Sequence, residues 1–182
     1  MRIVGGQYRG KKLFAPEGRD IRPTSERARE AIFNILASKL GGDYGDLLLA
    51  DIFTGTGAFG LEAISRGFAG VTLLDKDISA VMRNVKMFTR EANKISVIKA
   101  NATVLPRATG QFNVIFADAP YDKGLTEKVL QELILKNWPA ENCLCIIEVR
   151  KDENIAVPDD YEQIDERIYG LAKVLFLLVR KK

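Results

Sequence analysis

Two short stretches of this 182-residue chain carry residue types at spacings suited to chemistry. The first is Asp51-Ile52-Phe53-Thr54-Gly55-Thr56-Gly57-Ala58-Phe59-Gly60, whose glycines fit the G-x-G-x-x-G spacing of a nucleotide-binding turn. Glycine permits the tight turn and lets a ligand approach the backbone. That pattern alone admits NAD as readily as other nucleotide cofactors. Asp51 stands at the end of a strand, four residues before Gly55, and its carboxylate is expected to face the ligand rather than the core. There it would repel a dinucleotide pyrophosphate and attract the cationic amino group of S-adenosylmethionine. Asp75, twenty residues beyond Gly55, ends the next strand and is placed to accept hydrogen bonds from the ribose of either cofactor. Turn and helix capping by Asp51, Asp75 or Asp77 is the alternative reading of these carboxylates.

The second stretch is Asp118-Ala119-Pro120-Tyr121, which follows the apolar run Phe112-Asn113-Val114-Ile115-Phe116-Ala117. Ligands of open parallel sheets bind outside the carboxyl ends of the strands, so chemistry is expected here. A plain turn with a surface tyrosine is the alternative. The corner resembles the [Asn/Asp]-Pro-Pro-[Tyr/Phe/Trp] motif of methyltransferases that modify exocyclic base amines. In those enzymes the acidic or amide side chain and the next carbonyl accept the amine N–H bonds while the aromatic ring stacks on the base. An aromatic amine has its lone pair delocalised into the ring. Accepting its N–H bonds localises density on nitrogen, and stacking supplies orientation. Ala119 departs from the motif's usual proline: its carbonyl remains, but the free φ angle and the N–H reduce the stiffness of the corner.

Composition narrows the rest. The chain has no histidine, which removes Ser-His-Asp and Cys-His nucleophile systems, a histidine base and the usual histidine-rich metal sites. Cys143 and Cys145 alternate in an apolar stretch and are expected as buried reduced thiols on one face of a strand. No apolar run reaches the length of a membrane span or signal peptide, so a cytoplasmic location is expected. Residues 1–29 hold eight basic and three acidic side chains, a net +5, against −2 for the remainder. A basic segment beside a mildly acidic body suits a phosphate-tracking surface on a catalytic domain, with a solvated tail as the plain alternative.

These residues must be positioned by regular elements. Residues 2–14 suggest a small hairpin punctuated by Gly5, Gly6 and Gly10. Thr24 or Ser25 is expected to cap a helix with Ala28, Ala31, Ile32, Ile35, Leu36 and Leu40 on one face, stopped by Gly41 and Gly42. Strands are expected at 47–53, 71–75, 95–99, 112–118 and 143–149, with helices at 59–66, 79–92 and 125–136 between them. This alternation indicates an α/β fold, a mostly parallel doubly wound sheet covered on both faces. Residues 161–169 and 173–179, joined at Gly170, read as a C-terminal antiparallel hairpin closing the sheet edge. The expected organisation is an RNA-facing hairpin and helix over 1–42, attached to a catalytic domain over 43–182.

Over nearly its whole length the chain is similar to the bacterial 16S ribosomal RNA guanine-N2 methyltransferases of the RsmD family. The specific part is N-terminal, Met1-Arg2-Ile3-Val4-Gly5-Gly6-Gln7-Tyr8-Arg9-Gly10-Lys11-Lys12-Leu13, followed by Arg22-Pro23-Thr24 and Arg27-Ala28-Arg29-Glu30-Ala31-Ile32-Phe33-Asn34. Arg167-Ile168-Tyr169-Gly170 matches an arginine-tyrosine-glycine segment of the family. The resemblance implies a Rossmann-like class I methyltransferase fold and methyl transfer from S-adenosylmethionine to N2 of a guanine in 16S rRNA. The substrate would be the small subunit or its assembly intermediate, and the enzyme a monomer. By the same resemblance Asp51, Phe53, Thr54, Gly55, Gly57, Asp75, Lys76, Asn101 and Ala102 hold the cofactor, Asn101 standing where relatives have an aspartate toward the adenine amino group. Asp118, Ala119, Pro120 and Tyr121 meet the target base, while Arg2, Arg9, Lys11, Arg22, Thr24 and Arg27 border the RNA. A DNA adenine-N6 methyltransferase would normally need a larger target-recognition region than this chain leaves room for. An NAD oxidoreductase leaves Asp51 and the second corner without a role. An RNA-binding assembly module would need no cofactor.

Overall fold

Strands that are apolar on both faces need helices on each side of the sheet. In the computed structural model, which describes residues 1–16, 26–121 and 124–180, the strands are β1 (Leu48–Ile52), β2 (Gly70–Asp75), β3 (Ile95–Lys99), β4 (Phe112–Asp118), β5 (Pro139–Arg150), β6 (Tyr161–Tyr169) and β7 (Ala172–Val179). The helices are α1 (Glu26–Leu40), α2 (Ala58–Ser65), α3 (Ser79–Val85) and α4 (Leu125–Leu135). One seven-stranded sheet runs in the order β3-β2-β1-β4-β5-β7-β6. Its first five strands are parallel, and β7 is antiparallel to both neighbours.

Side-chain parity divides the core into two layers. Leu49, Val114, Phe116, Leu144, Ile146, Val174 and Phe176 pack on one face with α1, α2 and Val81 of α3. Ala50, Ile52, Ile115, Ala117, Cys145, Ile147, Leu175 and Leu177 pack on the other against Val129, Leu130 and Leu133 of α4. Cys143 and Cys145 lie on that second face as free buried thiols, their sulfurs 3.9 Å apart. Phe59 of α2 stacks on Phe116 at 3.8 Å and on Phe33 of α1 at 4.8 Å, joining two helices to the sheet.

The N-terminal segment enters the same core, through Ile3 and Leu13. Its hairpin is minimal, an Arg2–Lys12 bridge closed by Ile3 N–H donating to the Lys11 carbonyl at 2.9 Å. Glycine is required at position 6, where φ is +75° and a Cβ would lie 1.9 Å from the Ser65 carbonyl oxygen. All of α2 is buried, including Glu62 at 0 % exposure. Glu62 Oε2 accepts from Arg29 Nε at 2.5 Å and Val4 N–H at 3.3 Å. Its Oε1 accepts from Arg66 Nε at 2.9 Å and Nη2 at 2.8 Å, and Arg29 also donates to the Arg2 carbonyl. A buried charge survives only when paired and hydrogen-bonded, and here both guanidinium groups converge on it.

One expectation changes. The helix expected over 79–92 ends at Val85 and resumes as a 3-10 turn over Thr89–Lys94. The intervening residues tighten, with Met87 and Phe88 N–H donating to the Asn84 and Val85 carbonyls. Tertiary partners override helical periodicity: Lys11 Nζ donates to the Met87 carbonyl at 2.8 Å, and Phe88 is buried edge-on against Tyr8. The C-terminal hairpin closes the sheet edge as expected, with β7 paired to β5 and β6 outermost. Strand β7 is apolar on both faces, whereas β6 is mostly exposed and charged, so the polar strand takes the position facing water. The capping residues Thr24 and Ser25 lie outside the described residues. Among the described residues no helix is long and apolar enough to cross a membrane.

Replacing Glu62 by leucine leaves Arg29 uncompensated in the interior. Urea unfolding should show a loss of about 3 kcal/mol or more; a change below about 1 kcal/mol would mean that the N-terminal segment is held by packing alone.

Candidate active site

Because β1, β2, β4 and β5 are parallel and in register, their carboxyl ends open at one end of the sheet. Asp51 pairs with Phe116, Ile52 with Leu74 and Ala117, and Asp118 with Glu148. The glycine loop after β1 and the Asp-Ala-Pro-Tyr corner after β4 therefore leave adjacent strands, about 5 Å apart.

The loop turns through left-handed backbone at Phe53 (φ 63°), Gly55 (φ 55°) and Gly57 (φ 81°). The first is costly for a side chain bearing a Cβ, and such strain concentrates at functional sites. A Cβ on Gly57 would meet Val81 at 2.8 Å, and one on Gly60 would meet Leu73 at 2.2 Å, so α2 rests directly on the sheet. Two carboxylates hold the loop. Asp51 Oδ2 accepts from Thr54 Oγ1 at 2.7 Å and Gly60 N–H at 3.0 Å. Asp75 Oδ2 accepts the Gly55 N–H at 2.9 Å, and its Oδ1 accepts the Asp77 N–H at 3.1 Å.

Asp51 is 1 % exposed and lies beneath the loop, against the residues that turn it. Burial pushes its carboxyl up to about 7, against the lowering effect of the Thr54 and Gly60 bonds. Four of the loop N–H groups are also committed. Thr54 N–H donates to the Leu74 carbonyl and Gly57 N–H to the Thr54 carbonyl, while those of Gly55 and Gly60 go to Asp75 and Asp51. A pyrophosphate needs such donors and would meet two acidic side chains, so the donor set fits a cofactor with a cationic end better than NAD.

The other cofactor positions are mixed. Lys76 is exposed and Ala102 buried beside them. Asn101 Oδ1, expected to accept an adenine amino group, already accepts the Thr103 N–H at 3.1 Å and Oγ1 at 3.0 Å. It forms a local side-chain turn.

In the corner, Ala119 is buried, Pro120 exposed, and Asp118 and Tyr121 partly buried. Tyr121 Oη donates to Glu148 Oε1 at 3.1 Å, and Glu148 is 1 % exposed. Glu148 was missed by sequence reasoning. The available signal was one carboxylate in the otherwise apolar run Cys143-Leu144-Cys145-Ile146-Ile147-Glu148-Val149. Asn84 was missed as well. Buried on α3, it accepts the Phe14 N–H at 2.7 Å and donates to the carbonyls of Phe14 at 3.0 Å and Thr56 at 2.8 Å, binding the N-terminal segment to the glycine loop.

Of the residues assigned to RNA, Arg9 and Arg27 are exposed. Arg2 is exposed but paired with Glu26 at 2.8 Å. Lys11 is half-buried, its ammonium on the Met87 carbonyl at 2.8 Å and 4.9 Å from the Tyr8 ring centre. Arg29, counted in the basic segment, is buried against Glu62. Arg22 and Thr24 lie outside the described residues. Tyr169 and Gly170 form the β6–β7 tip, which register places beside Arg150 at this same end of the sheet.

A parallel sheet whose seventh strand is inserted antiparallel beside β5, with a glycine loop after β1 and its site at the strands' carboxyl ends, is the class I methyltransferase fold. Residues 1–178 match the profile of the family described as Conserved hypothetical protein 95, and the chain belongs to that family, the one resembled by its N-terminal motif. "Ribosomal RNA small subunit methyltransferase D" of Escherichia coli is 35 % identical over 93 % of this chain and 85 % of its own length. "Putative rRNA methyltransferase YlbH" of Bacillus subtilis is 30 % identical over 96 % of both chains. Among solved structures, "Putative methyltransferase yhhF" from Escherichia coli superimposes with a TM-score of 0.84 at 32 % identity, covering 100 % of this chain and 99 % of the other.

The Asp51 carboxyl, raised from 3.8 to about 7 in the folded chain, has a definite linkage sign. Its protonated form contributes stability below the ordinary value, and that contribution is lost as pH rises through about 7. A cationic ligand favours the ionised form. S-adenosylmethionine affinity measured by calorimetry should rise about tenfold from pH 6 to pH 8, and Asp51→Asn should flatten that rise. A pH-independent affinity in the parent protein would remove Asp51 from the cationic end of the cofactor.

Proposed function

We propose that the protein transfers a methyl group from S-adenosylmethionine to the exocyclic N2 of a guanine in 16S rRNA of the small ribosomal subunit or its assembly intermediate. The observation that carries this reading is the pairing of two features on adjacent strands. The glycine loop is held by Asp51 and Asp75, which take the Gly60 and Gly55 N–H groups, and the Asp118-Ala119-Pro120-Tyr121 corner ends the adjacent strand. The names of the relatives, small-subunit rRNA methyltransferases in several bacteria, support the substrate class.

The cofactor, when bound, supplies an electrophilic methyl on a sulfonium sulfur. Phe53, Thr54, Gly55 and Gly57 would shape its pocket, with Asp75 toward the ribose, Lys76 and Ala102 beside it, and Asn101 near the adenine. Asp118 and the Ala119 carbonyl accept the two N–H bonds of the guanine amine and aim its nitrogen along the line of displacement. With the cofactor bound, the amine nitrogen would take the methyl from sulfur and release one proton while Asp118 and the Ala119 carbonyl hold its N–H bonds. Tyr121 stacks on the extruded base and excludes water from its face. Arg2, Arg9, Lys11 and Arg27, with Arg22 and Thr24, form the RNA border, with the exposed Arg9 and Arg27 best placed for phosphate contacts.

Labelled methyl should pass to small subunits from cells lacking this activity, and digestion should place it on N2 of a guanine; labelling of DNA alone would overturn the reading. Asp118→Ala should lower turnover by about a hundredfold or more while leaving cofactor affinity within about twofold. Turnover within a few fold of the parent would show that the corner does not hold the amine.

A further inference from the structure

Glu148 is a buried carboxylate for which the methyl-transfer scheme has no role. It lies two residues before the end of β5 at 1 % exposure, in register with Asp118 across the β4–β5 ladder. Residues paired across a parallel ladder project to the same face, so Glu148 and Asp118 share one side of the sheet at its reactive end. For stability alone, an apolar residue of similar volume would serve this position as well or better. Its carboxylate accepts the hydroxyl of Tyr121 at 3.1 Å.

That bond meets a deficit in the corner. Ala119 stands where the resembled motif has proline, and alanine leaves φ free to rotate. The bond from Tyr121 to β5 restrains the same four residues from their other end, since β4 holds Asp118 and Glu148 holds Tyr121. A hydroxyl bond lies in the ring plane, so it fixes the ring's direction without using the π faces needed for stacking.

We propose that Glu148 is a positioning residue: by accepting the Tyr121 hydroxyl it fixes the ring and stiffens the corner that Ala119 leaves free to bend. The effect on rate rests on the methyl-transfer reading above; the effect on stiffness does not.

The test compares Tyr121→Phe, Glu148→Leu and the double variant, each alone and combined with Ala119→Pro. Tyr121→Phe removes one oxygen and keeps the ring, so it is informative even if Glu148→Leu fails to fold. Two quantities are measured, the kcat and KM of methyl transfer to small subunits, and amide hydrogen exchange in peptides spanning 117–121. Tyr121→Phe should lower kcat about tenfold with cofactor KM unchanged, and the double variant should lose no more than the worse single one. Exchange at the corner should quicken. With Ala119→Pro both effects should shrink, the kcat loss to about twofold. Unchanged exchange in Tyr121→Phe, additive losses in the double variant, or an undiminished effect with proline at 119 would each overturn the tether. If exchange follows the expected pattern but the parent protein methylates no RNA, the tether stands and the function reading fails.

Discussion

Helix α2 has no exposed residue, and it carries one carboxylate. Much of the architecture follows from that constraint. An ionised Glu62 in the interior must be neutralised, and the two guanidinium groups that do so come from α1 and from the end of α2 itself. Arg29 also takes the Arg2 carbonyl and Glu62 the Val4 N–H, so the ion cluster fastens the N-terminal segment to the helix that follows the glycine loop. What reads in sequence as a basic arm with eight cations is thereby partly spent on assembling the fold. Arg29 and Lys11 face inward, and the cationic surface left for RNA is smaller than the count suggests.

The same helix sets the floor of the site. Gly60 is pressed against Leu73 and Asp51, and Gly57 against Val81, so the loop has little room to relax. Asp75 and Asp51 then take the N–H groups of Gly55 and Gly60, and those of Thr54 and Gly57 go to backbone carbonyls. A loop with these donors engaged and two carboxylates against it suits a positively charged ligand better than a phosphate. Asn84 extends this rigidity outward by holding both the Phe14 backbone and the Thr56 carbonyl, so the chain entering residues 17–25 begins from a fixed point beside the loop.

The sequence was legible wherever one local rule governed several consecutive residues. Strand parity, β/α alternation and the glycine spacing gave the doubly wound fold, and turn composition located the Asp-Ala-Pro-Tyr corner. The interrupted helix after Ser79 was not legible, because Lys11 and Tyr8 compete for its backbone and packing from more than seventy positions away. Glu148 was hidden for the converse reason: an apolar strand that buries one carboxylate looks locally like any other buried strand, and its partner is twenty-seven residues earlier.

By itself, then, the sequence determined the class of fold, the loop and corner of the candidate site, and the family, because these depend on residue type at short spacing. Only the tertiary structure decided the direction of each side chain. Asp51 lies under the loop, Lys11 folds back onto the Met87 carbonyl, β7 lies inside the sheet with β6 at its edge, and Tyr121 is held from β5. Each depends on which distant groups share the burial, and burial decides whether a charge is exposed to a ligand or must find a partner inside the protein.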